Sequence, residues 1–150
     1  ALGHRSILAD PRRREVRDYI NARVKHREWY RPVAPAVLEE EAANYFLIDR
    51  PSPLMLFASQ ARPEKADLIP AVVHVDGSAR LQTVSKQLDE RFHRLIREFA
   101  SITGIPVVVN TSFNSKDEPI VETPQDAVRT FLRMNLDALV LDRFLVVKRG

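Results

Sequence analysis

The sequence predicts a mixed α/β domain, one twisted sheet of parallel and antiparallel strands flanked by helices. Three observations carry this. Apolar residues recur at helical spacing between Leu88 and Thr103 and again after Pro124. Pro106-Val107-Val108-Val109 is a continuous apolar run of the kind buried on both faces of a sheet. Short β-rich runs bounded by proline, aspartate and glycine alternate with the helices, which is the order of an α/β or α+β layer structure.

Length and composition bound the answer. The 150 residues and 17.2 kDa are expected to form a single domain over 1–150. With 45% hydrophobic and 29% charged residues, the chain has the balance of a packed protein rather than a disordered one. No apolar run approaches the roughly 20 residues of a membrane span. The absence of cysteine excludes a disulfide framework, a thiolate nucleophile and a cysteine zinc site, and fits a reducing, cytoplasmic setting. The first residue is alanine rather than methionine, so the chain is expected to be part of a longer polypeptide. A net charge of +3 is too small for a dedicated nucleic-acid binder. It is unevenly spread, however. The first 31 residues hold nine Lys/Arg against four Asp/Glu.

Taken in order, Asp10-Pro11 reads as an N-cap with proline at the first helical position, opening a helix to about Arg23. Residues 24–35, with Trp29, Tyr30, Pro32 and Pro35, read as extended. Glu39–Phe46 has a short helical pattern. Pro53–Ser59 reads as a buried strand and 60–67 as a polar loop. Ile69–Val75 and Ala79–Val84 read as two strands joined by an Asp76-Gly77 turn, a strong short-range hairpin signal. Leu88–Thr103 is an amphipathic helix with Phe92, Leu95, Ile96 and Phe99 on one stripe, ended by Gly104. His93 falls on the polar side. Val107–Val109 is a buried strand, and Thr123-Pro124 opens a helix to about Asn135. Ala138–Leu141 and Phe144–Val147 close the chain as short strands.

Three groups of residues offer chemistry. If 24–31 is extended, Lys25, Arg27, Trp29 and Arg31 share one face. Lys25 and Arg31 would then lie roughly 20 Å apart at ~3.3 Å per residue, suited to separate groups of one long anion. Arginine offers a planar fork and lysine a point charge, a mixture that suits phosphate. The plain alternative is a solvated face whose aliphatic stems pack over Trp29. Asn110, Ser112 and Asn114 follow the buried strand, where α/β sheets tend to place ligands, with Phe113 directed to the core. The alternative is a turn in which Asn and Ser satisfy local backbone. His74 and Asp76 share a strand face beside Arg80. Two such groups make no metal site, and hydrogen bonds capping the turn account for them. Neither a G-x-G-x-x-G loop nor a Walker motif is present, so a nucleotide would be held by side chains and strand ends.

Together, Gly3-His4-Arg5-Ser6-Ile7-Leu8-Ala9-Asp10-Pro11-Arg12, Val24-Lys25-His26-Arg27-Glu28, Arg31-Pro32-Val33-Ala34-Pro35, His74-Val75-Asp76-Gly77, Asn110–Asn114 and Glu118-Pro119-Ile120-Val121 resemble the C-terminal domain of O-carbamoyltransferases. That group includes nodulation-factor and antibiotic-tailoring enzymes. The resemblance implies a YrdC-like α/β domain with a basic concave cleft. Such a domain takes carbamoyl phosphate and ATP, with Mg²⁺ arriving on the ATP, and makes a carbamoyl-adenylate. It also implies a partner, the protein's own N-terminal domain of actin-like ATPase fold. That domain carries the transfer metal and passes the carbamoyl group to a small-molecule acceptor hydroxyl. Residue by residue, Lys25 and Arg31 match the basic residues that hold carbamoyl phosphate and nucleotide phosphates, and are expected to be the catalytic cations. Arg80 matches the arginine after the His-x-Asp-Gly turn, and Asn110 and Ser112 match a ligand-contacting polar pair, with Arg27 on the same face. Asp117, where glycine is expected, and Ser78, where threonine is usual, depart from the pattern within turns. Two other readings remain from the residues themselves. One is an RNA-binding module that stacks bases on Trp29 and Tyr30, and the other is a domain that only supports its partner.

Overall fold

A computed structural model describes residues 2–148 of the chain. It is the expected mixed α/β architecture, consistent with a YrdC-like fold, but its strands form three sheets rather than one. The elements are β1 (Ser6–Ala9), α1 (Arg14–Tyr19), β2 (Ala34–Leu38), α2 (Ala42–Tyr45), β3 (Ala58–Gln60), α3 (Pro63–Ala66), β4 (Ser78–Arg80), β5 (Gln82–Val84), α4 (Glu90–Thr103), β6 (Val107–Ser112), α5 (Pro124–Arg133), β7 (Ala138–Leu141) and β8 (Phe144–Val147). The main sheet has the order β1-β6-β2-β5. Its β1–β6 and β2–β6 pairs are antiparallel and β2–β5 is parallel. β3 pairs with β4, and β7 with β8, in two separate ribbons.

The alternation of β6 explains the layers. Val107 and Val109 face a core with Val37, Ile69, Val72 and Leu81. Val108 faces the opposite way, against Ala36, Leu38 and Val84 under Phe92 and Ile96 of α4. This strand is therefore buried on both faces, as its continuous apolar run predicts. A third cluster joins Ile7 and Phe113 to Ala127 and Phe131 of α5 and to Leu139 of β7. α4 starts on an Asp89 cap that accepts from the Phe92 N–H at 3.1 Å, and ends at Gly104 with φ 75°. α5 opens on a reciprocal capping box between Thr123 and Asp126. Both helices, β6 and the closing hairpin match expectation.

Several segments differ from it. Asp10 does not cap a helix at Pro11. Its carboxylate accepts from the Arg12 N–H and guanidinium in a local turn, and the helix begins three residues later at Arg14. Residues 53–59 are not a buried strand. Met55 takes a left-handed φ of 57°, which turns the chain, and Leu54 and Leu56 are exposed. Only Ala58–Gln60 is extended. The segment 69–75 is coiled, buried at Ile69, Ala71 and Val72 but exposed at Val75, because Pro70 lacks an N–H and the Val72 N–H closes a turn onto the Ile69 carbonyl. The strand that pairs with β4 is therefore β3, and Ala79–Val84 divides into β4 and β5 around the buried Leu81. The Asp76-Gly77 turn itself is present. The Asp76 carboxylate accepts from the Ser78 N–H and hydroxyl, the capping role its position implied. The polar stretch 60–67 contains α3. His93 is buried rather than exposed, with Nε2 2.7 Å from the Glu40 carboxylate, because β2 runs into a short 3₁₀ turn (Glu39–Glu41) that brings Glu40 over α4.

Candidate functional site

The site starts from an irregular helix end. After Tyr19 the helix widens into a π-turn over Ile20–Val24, with the Lys25 N–H donating to the Ile20 carbonyl at 2.7 Å. Such wide turns are frequent at functional sites. His26 follows with a left-handed φ of 48°, and the Arg31 N–H closes a turn onto the Glu28 carbonyl at 3.1 Å. Residues 24–31 are therefore a folded loop, and the single extended face expected for Lys25, Arg27, Trp29 and Arg31 does not form.

What forms instead brings two of the sequence motifs into contact. Lys25, only 4% exposed, projects onto the end of β6. Its Nζ donates to the Ser112 carbonyl at 2.8 Å, the Asn114 carbonyl at 2.8 Å and Asn114 Oδ1 at 2.6 Å, with Ser112 Oγ at 3.2 Å. Ser112 Oγ donates in turn to Asn114 Oδ1 at 2.7 Å. Lys25 is thus held as a hydrogen-bond donor, not as a free base for the serine. Burial, and secondarily the charge of Arg27, lowers its pKa to about 8.

The arginines are fixed from below by Asn21, which is fully buried. Its Oδ1 accepts from Arg27 Nε at 2.7 Å, and its Nδ2 donates to the carbonyls of Trp29 at 3.2 Å and Arg31 at 2.8 Å. Arg27 Nη2 also donates to the Pro32 carbonyl at 3.1 Å. Burial, then the neighbouring Arg31 charge, pulls the Arg27 pKa down, against an opposing pull from Glu28. Arg31 Nε lies 2.8 Å from the Glu28 carboxylate. Glu28 is held below the ordinary glutamate range by its own backbone N–H, by Arg31 and, more weakly, by Lys116. Arg27, Arg31 and Lys116 thus share the field of the Glu28 carboxylate, and Lys25 adjoins them through Arg27.

Two predicted residues stand apart from this group. Asn110 is buried in β6, where its Nδ2 donates to Gln82 Oε1 at 2.7 Å. The two side chains meet over β2, whose Ala34 and Ala36 sit opposite Asn110 and Gln82 and leave them room. Arg80 lies exposed on β4, its guanidinium with no hydrogen bond or ion pair among the described residues, two positions before Gln82. Neither of the two large grooves, of about 660 and 700 Å³, is lined by Lys25, Arg27 or Arg31. Arg31 and Lys116 are exposed, Arg27 is half-buried and Lys25 is buried. Asn21 and Lys116 were not singled out by sequence reasoning. The available signal for Asn21 was its place three residues before Val24, at the margin of an apolar stripe.

Chemically, the group carries surplus positive charge, which suits oxyanions; Lys25 Nζ and Ser112 Oγ already donate within the protein, and Arg31 and Lys116 are the exposed cations. Among the described residues no cluster of three or more His, Asp or Glu side chains offers a metal site. No helix among them is long and apolar enough to cross a membrane.

The family described as Carbamoyltransferase C-terminus matches residues 1–148. Nodulation protein NolNO of Sinorhizobium fredii is 50% identical over 152 residues, which covers 99% of this chain and 22% of that protein. Nodulation protein NolO of Bradyrhizobium diazoefficiens is 49% identical over 152 residues, covering 99% and 28%. Nodulation protein U of Rhizobium tropici is 52% identical over 114 residues, covering 76% and 20%. The chain therefore spans between a fifth and three tenths of the length of these relatives, which are larger proteins with other parts. With its family model matched across nearly its whole length, this chain belongs to the carbamoyltransferase family and represents the C-terminal region of such enzymes.

Proposed function

We propose that this chain is the activating domain of an O-carbamoyltransferase, binding carbamoyl phosphate and ATP to form carbamoyl-adenylate. The observation that supports this reading best is the contact between the Lys25–Arg31 loop and the Ser112–Asn114 end of β6, which sets several fixed cations beside polar groups at a strand end. Both substrates are polyanions, and bringing them together against their repulsion is the chief electrostatic cost of the reaction. In the balanced scheme, water cleaves carbamoyl phosphate to carbamate and inorganic phosphate. A carbamate oxygen then attacks the α-phosphorus of ATP, and pyrophosphate leaves. No protein nucleophile is required. Lys25 and Arg31 hold the phosphates and offset the charge that develops on the leaving groups, with Arg27 and Ser112 beside them, while Arg80 and Asn110, which the family resemblance also implies as ligand contacts, lie apart from this group and carry no step here. The donor set fits phosphate oxygens and, among the described residues, offers no carboxylate cage, so Mg²⁺ would be held mainly by the ATP phosphates. It would supply charge neutralisation there. An N-terminal domain of actin-like ATPase fold then carbamoylates an acceptor hydroxyl of a natural product.

The test is exchange of labelled pyrophosphate into ATP, dependent on carbamoyl phosphate, in the full-length enzyme. Lys25→Ala and Arg31→Ala are each expected to reduce exchange by about 10²-fold or more, the typical effect of removing a donor from developing charge. Exchange at the wild-type rate in both variants would remove the assignment. One observation favours a second reading. Trp29 is 73% and Tyr30 67% exposed, packed edge to face at 5.9 Å beside the arginines, an arrangement on which RNA bases can stack. Salt-sensitive RNA binding lost in Trp29→Ala would support it.

A further inference from the structure

β1 is an edge strand, bonded to β6 on one side only. The Phe113 N–H donates to the Arg5 carbonyl, and antiparallel ladders alternate bonded and non-bonded pairs. In the observed register, Ser6 opposite Ser112 and Leu8 opposite Asn110 are the non-bonded pairs. The backbone N–H and C=O of Ser6 and Leu8 therefore point away from the sheet. Neither residue's backbone groups have a hydrogen-bond partner among the described residues. Both residues are partly buried.

Alongside this edge runs the groove of about 700 Å³. Phe92 and Leu95 of α4 line it on one face of the sheet, and Val121 and Ala127 line it on the other. Its remaining side is β7, itself bonded only to β8. Two strand edges thus border one slot without pairing with each other; its lining is apolar at Phe92, Leu95, Val121 and Ala127 and also carries Arg5 and the Arg91–Asp142 ion pair. Exposed strand edges template further pairing, and proteins normally cover or blunt them. No charge or proline of β1 or β7 blunts these edges.

We propose that a short extended segment from the remainder of the same polypeptide occupies this slot as a β-strand. It pairs with β1 on one side and β7 on the other and joins the main sheet to the closing hairpin. Its side chains alternate between the α4 wall and the α5 wall, so both sets are apolar, as in strands buried on two faces. The occupant is assigned to the same polypeptide for two reasons. In NolNO and NolO, 78% and 72% of the protein lies outside the region matched here, which leaves ample chain to supply a strand. The groove is also lined by Gly3–Leu8, so a linked segment is delivered to it at high effective concentration. The groove shares no residue with the Lys25 group, so this inference stands or falls apart from the phosphate site.

The experiment uses the full-length protein. Hydrogen exchange is followed at Ser6 and Leu8, and Val140, which is 68% exposed and lines the groove, is replaced by a photo-cross-linking phenylalanine analogue. The expected result is slow exchange at Leu8, comparable to Val108 in β6, together with an intramolecular cross-link to a segment outside residues 1–150. Rapid exchange at Leu8 overturns the proposal. So does a cross-link confined to residues 1–150, one to a second copy or to a separate protein, or no cross-link at all.

Discussion

Lys25 joins a structural role to a chemical one, and pH separates them. Its amine titrates near 8 in the folded chain, below the roughly 10.4 of a free lysine, chiefly because it is buried. Between those values the unfolded chain binds the extra proton, so this residue's contribution to stability improves as pH rises from about 8 towards 10.4. Anion binding runs the other way, since deprotonation removes the charge. Affinity for pyrophosphate is expected to fall as pH is raised from 7 to 9.5, and Lys25→Arg should flatten that dependence because guanidinium keeps its proton. Titrations at the two pH values check this. Asn21 belongs to the same scale. Asn21→Ala removes donors to two loop carbonyls and the acceptor of Arg27 Nε, and is expected to cost about 1–3 kcal/mol in denaturant unfolding and to weaken phosphate binding. The cations of this loop were legible in the sequence because charged residues crowd into 25–31. Asn21 was not, because its partners are backbone carbonyls placed by a π-turn and a left-handed His26, which no local pattern announces.

At the scale of elements, glycines and caps give the sharpest tests. Gly104 ends α4 with φ 75°, and an added Cβ would meet nothing within 4 Å. Gly104→Ala should therefore cost only the left-handed backbone, about 1 kcal/mol. Gly3 also has positive φ, 86°, but a Cβ there would run into the Phe92 ring at the start of α4. Gly3→Ala should destabilise by clearly more than Gly104→Ala, and thermal unfolding of the two variants compares them directly. α4, α5, β6 and the β7–β8 hairpin were readable because periodicity, caps and turn residues lie within each segment. The segments 53–59 and 69–75 were not. Both have strand composition, but Met55 turns in one and Pro70 breaks the ladder in the other, and the strand that pairs with β4 is supplied by 58–60. Composition reports how apolar a segment is, while long-range pairing decides whether it is extended.

For the whole molecule, net charge says little and its placement says much. A total of +3 hides a local surplus around Glu28, so binding of phosphorylated ligands should weaken with added salt to the extent that the group is open to solvent. Family membership was legible from linked motifs across the chain, whereas the folded 24–31 loop and the unpaired edges beside β1 appear only in three dimensions. The measurement that bears most directly on the central claim is calorimetric titration of the full-length enzyme with carbamoyl phosphate and, separately, with Mg-ATP. Wild type and Lys25→Ala are compared after matched folding has been verified. Saturable binding of both ligands by the wild type, weakened at least about tenfold in the variant, is the predicted result, equivalent to ~1.4 kcal/mol or more. Equal affinities in the two proteins would contradict the assignment of the Lys25–Arg31 group as the phosphate site.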